Sequence, residues 1–103
     1  MIQIIWEFRV ADGRETDFER HYGPSGTWVQ LFRRASEFIG TDLLADADVP
    51  GRYLTVDRWK DLKAYESFRQ EFAAEYKRID EEMEAMTERE RRVGVFEMVE
   101  DGT

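Results

Sequence analysis

Cysteine and asparagine are absent from the 103-residue sequence, and histidine occurs once, at position 21. A chain without cysteine forms no disulfide and has neither a thiolate nucleophile nor a thiolate metal site. Because disulfides are rare in reducing compartments, the composition agrees with a cytoplasmic protein. The sequence also contains no glycine-rich phosphate loop and no nucleophile elbow, which excludes the common signatures of nucleotide binding and of serine hydrolases.

Long apolar runs and an excess of positive charge are missing too. The sequence begins with the alternating stretch "IQIIWEFRV" and contains neither a secretory-signal pattern nor a membrane span of about 20 apolar residues. Fifteen basic residues stand against 23 acidic ones, which gives a net charge of −8. An acidic surface repels nucleic-acid backbones, so we expect neither a nucleic-acid nor a membrane partner.

Aromatic residues, in contrast, are abundant: seven Phe, four Tyr and three Trp. The length suits one domain, here 1–103 with a core of about 2–99. So many large rings exceed what a core of this size requires. We therefore expect some of them to line a pocket or a subunit interface, where aromatic side chains are enriched.

Four segments have the patterns of β-strands. Apolar residues alternate along Ile2–Val10, which predicts a strand with one strongly apolar face. The stretches "SEFIGTDLLAD" (36–46) and "RYLTVDRW" (52–59) flank the turn "DADVPG" and predict a hairpin. The stretch "RRVGVFEMV" (91–99) predicts the fourth strand, and the tail 100–103 is expected to fray because it lacks an apolar anchor.

The first connection between strands, from about Gly13 to Ala35, has the pattern of one broken helix. Asp12 stands three residues before a glutamate, which is the spacing of a capping box. Gly23-Pro24 predicts the break, because proline lacks an N–H and disfavours helical geometry at the preceding residue. Ser25 is then the predicted cap of the second piece.

The second helical connection carries apolar residues at helical spacing from Leu62 to Met86. Asp61 is its predicted N-cap. Thr87 and Glu90 again have capping-box spacing and predict a short final turn.

The element order β-α-β-β-α-β predicts an α+β, ferredoxin-like domain. Right-handed crossovers place both helices on one face of a four-stranded antiparallel sheet. The opposite face is expected to carry large residues, among them Ile5, Tyr53 and Trp59, and therefore needs a cover. A second copy packing its own sheet against this face is the simplest cover, so we expect a homodimer through the sheet faces.

Several of these segments together resemble a known family. The strand "IIWEFRV", the Gly-Arg-Glu opening of the first helix, "FIGTDLL", "RYLTVDRW" and "AYESF" are similar to the antibiotic biosynthesis monooxygenase (ABM) domain of the dimeric α/β-barrel superfamily. The resemblance covers about residues 2 to 99. It implies a dimeric α/β barrel with a pocket in each subunit between sheet and helices. It also implies, as one activity of the family, oxygenation of phenols or quinols without metal or flavin.

The sequence departs from the family pattern at two places. Many relatives have a histidine early in the second helix, where this chain has Phe68. Haem-degrading relatives use an asparagine, a tryptophan and a histidine, of which only the tryptophan has a counterpart here, Trp59. Haem degradation is therefore disfavoured, and the resemblance implies no cofactor.

His21 is the candidate catalytic residue, because histidine is the side chain whose ordinary pKa lies nearest neutrality. In the functional interpretation His21 takes a proton from a phenol. In the structural interpretation it is a partly exposed helix residue beside the break, and no acidic partner at a suggestive spacing favours the functional one.

The candidate substrate-binding residues are aromatic. They are expected on the inner strand face, in the first connection, at the end of the third strand and in the second connection: Trp6, Trp28, Phe32, Trp59, Phe68 and Phe72. Such a cluster lines a flat pocket or simply fills a core, and Trp59 is equally compatible with both roles. The neighbours Asp57 and Arg58 are interpreted as a cross-strand charge pair rather than as catalytic groups.

The acidic run after Tyr76 is interpreted as a solvated helix face, so no metal site is expected. The leading hypothesis is a cofactor-independent monooxygenase that acts on a small electron-rich aromatic of the phenol, quinol or anthrone type. The alternative is a non-catalytic dimer that binds a small hydrophobic ligand or serves a structural role, and a weaker one is a partner subunit of another enzyme. A cavity of about 300 Å³ or more would favour ligand binding or chemistry.

Overall fold

The computed structural model describes residues 1–100 as a four-stranded antiparallel sheet with helices on one face. The strands are β1 (Ile2–Val10), β2 (Phe38–Ala45), β3 (Arg52–Trp59) and β4 (Thr87–Glu97). The helices are α1 (Glu15–Tyr22), α2 (Thr27–Phe32), α3 (Leu62–Glu71) and α4 (Ala73–Met83), the last followed by a 3₁₀ turn at Glu84–Met86. The strand order β2-β3-β1-β4 confirms the predicted ferredoxin-like fold. The predicted fraying of the last three residues lies outside the described range.

None of the helices within residues 1–100 is both long enough and apolar enough to cross a membrane.

The inner face of the sheet is defined by the register of the central strand β1. Ile2 lies opposite Trp59, and Phe8 lies opposite Tyr53. Because directly opposed residues share a face, Tyr53 and Trp59 point towards the helices. Both are buried, with 6% and 0% of their surface exposed. Their predicted position on the outer face is therefore wrong, because the register with β1 assigns them to the inner face.

The outer face keeps several apolar residues without these two, beside the ion pairs of Arg52 with Glu7 and of Arg58 with Asp42. By register with β1, Ile5 shares this face with Leu54, Val56, Leu44 and Phe96. Leu44 and Phe96 expose 48% and 47% of their surface in the single chain. The face therefore presents apolar side chains that no helix of the same chain covers.

The first connection is broken at the predicted place, and glycines make the break compact. A Cβ atom on Gly26 would lie 2.5 Å from the carbonyl oxygen of His21, and one on Gly23 would lie 2.7 Å from that of Glu19. Two predicted caps are wrong. The N-cap of α1 is Arg14, two residues after the predicted Asp12, and the N-cap of α2 is Gly26, one residue after the predicted Ser25. Neither helix has a side-chain capping bond.

The second connection begins as predicted, since Asp61 Oδ1 accepts a hydrogen bond from the N–H of Ala64 at 2.8 Å. The helix is then interrupted at Phe72, whose backbone leaves helical geometry. The predicted capped turn at Thr87 is wrong. Thr87 starts β4 instead, because the pairing of β4 with β1 extends back to the end of β1 at Val10.

Candidate functional site

A cavity of about 180 Å³ lies between the inner face of the sheet and the helices. One part of its lining is aromatic: Trp6, Phe8, Tyr22, Trp28, Phe32 and Tyr76. The other part is polar: Thr41, Thr55, Asp57, Arg69, Asp80 and Glu90. The cavity is smaller than the volume that the sequence-based criterion named. It has room for a single aromatic ring with substituents, since an apolar cavity of roughly 150 Å³ binds benzene.

The aromatic walls come from four elements that hold one another in place. Phe8 of β1 lies 5.0 Å from Tyr22 of α1, measured between ring centroids, and Tyr22 lies 6.2 Å from Trp28 of α2. Trp28 in turn lies 4.8 Å from Tyr76 of α4. Edge-to-face and tilted contacts at these distances are favourable and fix the rings. The helix break between Tyr22 and Trp28 therefore shapes one wall of the cavity.

Asp57 brings a carboxyl group to the sheet side of the cavity. It lies on the inner face of β3 and is 8% exposed. The hydroxyl of Thr41, on the neighbouring strand β2, donates a hydrogen bond to Asp57 Oδ1 at 2.7 Å. Burial raises the pKa of Asp57 to about 6, although the Thr41 hydrogen bond and the charge of Arg58 oppose this rise.

The predicted charge pair between Asp57 and Arg58 is wrong. Arg58 points to the outer face and pairs with Asp42 at 2.6 Å. Neighbouring residues on a strand point to opposite faces, so Arg58 cannot accompany Asp57 into the interior. In residues 1–100, Asp57 has no salt bridge to any basic side chain.

Arg69 is the cation of the cavity lining. Its guanidinium lies 3.8 Å from the ring centroid of Tyr76 and donates a hydrogen bond to the hydroxyl of Tyr65 at 3.1 Å. No carboxylate within residues 1–100 forms a salt bridge with it. A guanidinium held on aromatic faces in this way can attract negative charge that develops on a ligand.

The other ionisable groups of the lining differ in their readiness to exchange a proton. Burial raises the pKa of Tyr22 to about 12, and it raises that of Tyr76 further. Both hydroxyls thus stay protonated at neutral pH. The pKa of Glu90 is raised by burial and by the nearby carboxylates of Asp80 and Glu84. Glu90 and Asp80 are more exposed than Asp57.

His21 lies outside the cavity lining. Its Nδ1 atom is 2.7 Å from the hydroxyl oxygen of Thr27, so the pair spans the break between α1 and α2. This position agrees with the structural interpretation of His21. The predicted role of His21 as a base is not tested by this geometry and stays a prediction.

The structure brings three of the six predicted aromatic residues to the cavity: Trp6, Trp28 and Phe32. The others lie elsewhere in the helix–sheet interior. Trp59 is fully buried, 5.1 Å from Phe68 between ring centroids. Phe72 lies beneath the guanidinium of Arg34 at 4.6 Å.

Thr41 is a functional candidate that the sequence interpretation missed, and Asp57 is one that it set aside as part of a charge pair. The signal available was the alternation of β3 itself, which groups Thr55 and Asp57 with Tyr53 and Trp59 on one face. Polar residues on an aromatic face indicate a cavity or an internal hydrogen bond. Within residues 1–100 no three His, Asp or Glu side chains are grouped as a metal site would require.

Comparison with known proteins identifies relatives of this architecture. The family model for antibiotic biosynthesis monooxygenase matches residues 1–89. A Bordetella bronchiseptica protein that carries this family name is 25% identical, with a TM-score of 0.74 over 95% of this chain and 96% of its own.

SnoaB of Streptomyces nogalater, a cofactor-independent oxygenase, is 18% identical, with a TM-score of 0.77 over 98% of this chain and 95% of its own. At that identity, the likeness to SnoaB establishes the fold alone. A search of curated protein sequences finds no match.

Proposed function

The chain belongs to the antibiotic biosynthesis monooxygenase family, and from this premise we propose that it is a cofactor-independent oxygenase. Its substrate would be a small electron-rich aromatic, such as a phenol or quinol, bound in the cavity between sheet and helices. The observation that carries the proposal is the aromatic cavity itself, which combines stacking walls with Asp57 and Arg69. The description of SnoaB as a cofactor-independent oxygenase supports the reaction class.

The proposed reaction begins with loss of the hydroxyl proton from the substrate. The resulting anion is rich enough in electrons to reduce O₂, and a carbon–oxygen bond forms at the ring. The oxygen–oxygen bond then breaks. The C–H bond at the attacked carbon breaks as well, and its electron pair forms a carbonyl with the oxygen atom that remains on the ring. The other oxygen leaves as water with this hydrogen and the hydroxyl hydrogen. The ring is thereby oxidised to a quinone, and O₂ is reduced.

The chain supplies binding and electrostatics for this reaction. Trp28 and Trp6 provide faces on which a flat ring can stack. Arg69 favours the negative charge that develops when the substrate loses its proton. The buried sheet side of the cavity keeps bulk water away from the anion.

We extend the proposal to the assembly. The apolar outer face of the sheet, centred on Ile5, Leu54 and Val56, is the surface on which a second copy would pack. The family resemblance and the exposure of Leu44 and Phe96 support a homodimer. A cytoplasmic location remains a prediction from the absence of cysteine.

Oxygen uptake tests the proposed activity. The purified protein is incubated with hydroquinones, phenols and anthrones in air and under nitrogen, and the products are separated by chromatography. The proposal expects a quinone that contains one oxygen atom more than the substrate and forms only in air, with one O₂ consumed per product. Identical product profiles in air and under nitrogen would refute the oxygenase proposal. The isolated substrates without protein give the background of spontaneous oxidation.

A non-catalytic dimer that binds a small hydrophobic ligand is the second candidate. The aromatic lining favours it, because stacking walls can bind a single ring whether or not a reaction follows. This candidate expects saturable quenching of tryptophan fluorescence by single-ring aromatics without any oxygen uptake.

A further inference from the structure

We propose that Asp57 is the catalytic base of this site and that the substrate is a single-ring phenol or hydroquinone whose hydroxyl lies against the Asp57 carboxyl. This inference rests on the proposed oxygenase function, because it assigns the proton acceptor and the substrate size for the same cavity.

The Asp57 carboxyl is buried, and no basic side chain within residues 1–100 forms a salt bridge with it. A buried carboxylate normally has a basic partner, because the loss of hydration costs several kcal/mol. Here the nearest basic neighbour in sequence, Arg58, is bound to Asp42 on the other face. A costly group that faces a cavity without such a partner is typical of functional sites.

In the part of the chain that the structure describes, a single hydrogen bond holds the Asp57 carboxyl, and it engages only one of the two oxygens. Thr41 donates to Oδ1, and no hydrogen bond within residues 1–100 engages Oδ2. Oδ2 therefore remains available to accept a bond from a hydroxyl in the cavity. Thr41 is a positioning residue in this arrangement, because it fixes the carboxyl and does not itself exchange the proton.

The other ionisable groups that face the cavity are less suited than Asp57 to accept a proton at neutral pH. Tyr22 and Tyr76 keep their protons at neutral pH, and Arg69 is permanently charged. Asp80 and Glu90 are exposed, whereas Asp57 is buried, so water competes for their carboxylates more than for that of Asp57. Burial makes the Asp57 carboxyl more basic than an ordinary carboxylate, while leaving it ionised above about pH 6.

The volume of the cavity limits the size of the substrate. The cavity of about 180 Å³ is close to the volume that accommodates a single benzene ring. Three fused rings exceed it unless the helices move apart. A ring stacked beside Trp28 with its hydroxyl on Asp57 uses both the aromatic and the polar part of the lining.

The proton transfer balances simply. The substrate O–H bond breaks, its electron pair stays on the substrate oxygen, and the proton forms a bond with Asp57 Oδ2. After O₂ has added to the ring, the C–H bond at the same carbon breaks, its electron pair forms the carbonyl, and the oxygen–oxygen bond breaks. The leaving oxygen takes this second proton together with the proton that Asp57 returns, and it departs as water. O₂ is the only co-reactant, and the carboxylate is regenerated.

Kinetics of the variant Asp57→Asn test the inference. The amide keeps the shape and can still accept the Thr41 hydrogen bond, but it cannot take a proton. We expect kcat for a single-ring hydroquinone to fall about 10²–10⁴-fold, the usual contribution of a general base, with KM changed much less. Thr41→Val should reduce kcat less and raise the pH at which activity appears. Asp48→Asn, an exposed aspartate in the β2–β3 turn, is the matched control.

A second readout does not depend on turnover. A nitrophenol, whose absorption spectrum reports its ionisation, is added to wild type and to Asp57→Asn slightly above neutral pH. The Asp57 carboxylate is ionised there, and its charge and hydrogen bond should keep the bound phenol neutral in wild type, whereas the bound phenol should be ionised in the variant. Competition with phenol and with anthrone measures the size preference, and phenol should displace the probe far better than anthrone.

The outcomes separate the two proposals. Oxygen uptake by wild type that Asp57→Asn retains within a few-fold would overturn the role of Asp57 and leave the oxygenase function standing. A probe that stays neutral in wild type alone, without oxygen uptake on any substrate, would support Asp57 as the acceptor of the hydrogen bond from the substrate hydroxyl and refute the oxygenase function. No binding of the probe, or a preference for anthrone, would overturn the inference about the substrate.

Discussion

The hydroxyl of Thr41 and the carboxyl of Asp57 are 2.7 Å apart, on adjacent strands and beneath the helices. This pair lies in the lining of a cavity whose other walls are largely aromatic. A carboxyl in this position is unfavourable for stability and favourable for proton transfer. The relationship therefore links the energetics of the fold to the proposed chemistry.

The stability of the folded chain should depend on the protonation of Asp57. Its pKa rises from the ordinary value of 3.8 in the unfolded chain to about 6 in the folded one. The folded state thus binds the proton more tightly, so the free energy of unfolding falls as the pH rises from about 4 through about 6. Two pKa units correspond to about 3 kcal/mol. Urea unfolding over this pH range measures the effect.

The variant Asp57→Asn isolates this contribution from that of other carboxyls. It carries no charge at any of these pH values, so it should lack the stability loss that wild type shows between about pH 4 and 6. At neutral pH it should be more stable than wild type. Equal pH dependence in both proteins would show that burial does not raise the pKa of Asp57.

Gly26→Ala should destabilise the fold strongly. The added Cβ would lie 2.5 Å from the carbonyl oxygen of His21, a backbone atom that cannot move without opening the helix break. We expect a loss on the order of 2–3 kcal/mol and a melting temperature about 10 °C lower, measured by circular dichroism. The neighbouring exposed Ser25→Ala is the control and should change the melting temperature little. A thermally unchanged Gly26→Ala would contradict the close approach at this break.

Leu44→Lys should convert a dimer into a monomer. Leu44 lies on the outer face of the sheet, on the edge strand β2 beside Leu54, and a lysine there would place a charge within the proposed interface. Light scattering after size-exclusion chromatography measures the mass. Leu62→Lys, at a similarly exposed leucine on α3, should leave the mass unchanged. A monomeric wild type, or a Leu44→Lys variant that remains dimeric, would refute dimerisation through this face.

Much of the fold could be predicted from the sequence because its signals are local. The alternation along Ile2–Val10, the Gly23-Pro24 break and the Asp61 cap each depend on a few neighbouring residues. The end of the second connection was mispredicted for a non-local reason. Thr87 has a capping-box pattern, yet pairing with β1 draws it into a strand.

The site was less predictable than the fold, since it depends on strand register. Tyr53 and Trp59 were assigned to the outer face, although the same alternation joins them to Asp57. Once the register with Ile2 and Phe8 is known, all three residues belong to the inner face. His21 is recognisable as a candidate base from the sequence alone, because the ordinary pKa of histidine lies near neutrality. The basicity of the Asp57 carboxyl depends on its burial, which the sequence does not show.

A crystal structure with hydroquinone bound under nitrogen tests the central claim most directly. The account predicts the ring inside the cavity beside Trp28, with one hydroxyl oxygen about 2.6–3.2 Å from the Asp57 carboxyl. A cavity left empty at saturating hydroquinone, or a ring bound with its hydroxyls turned away from Asp57, would contradict it.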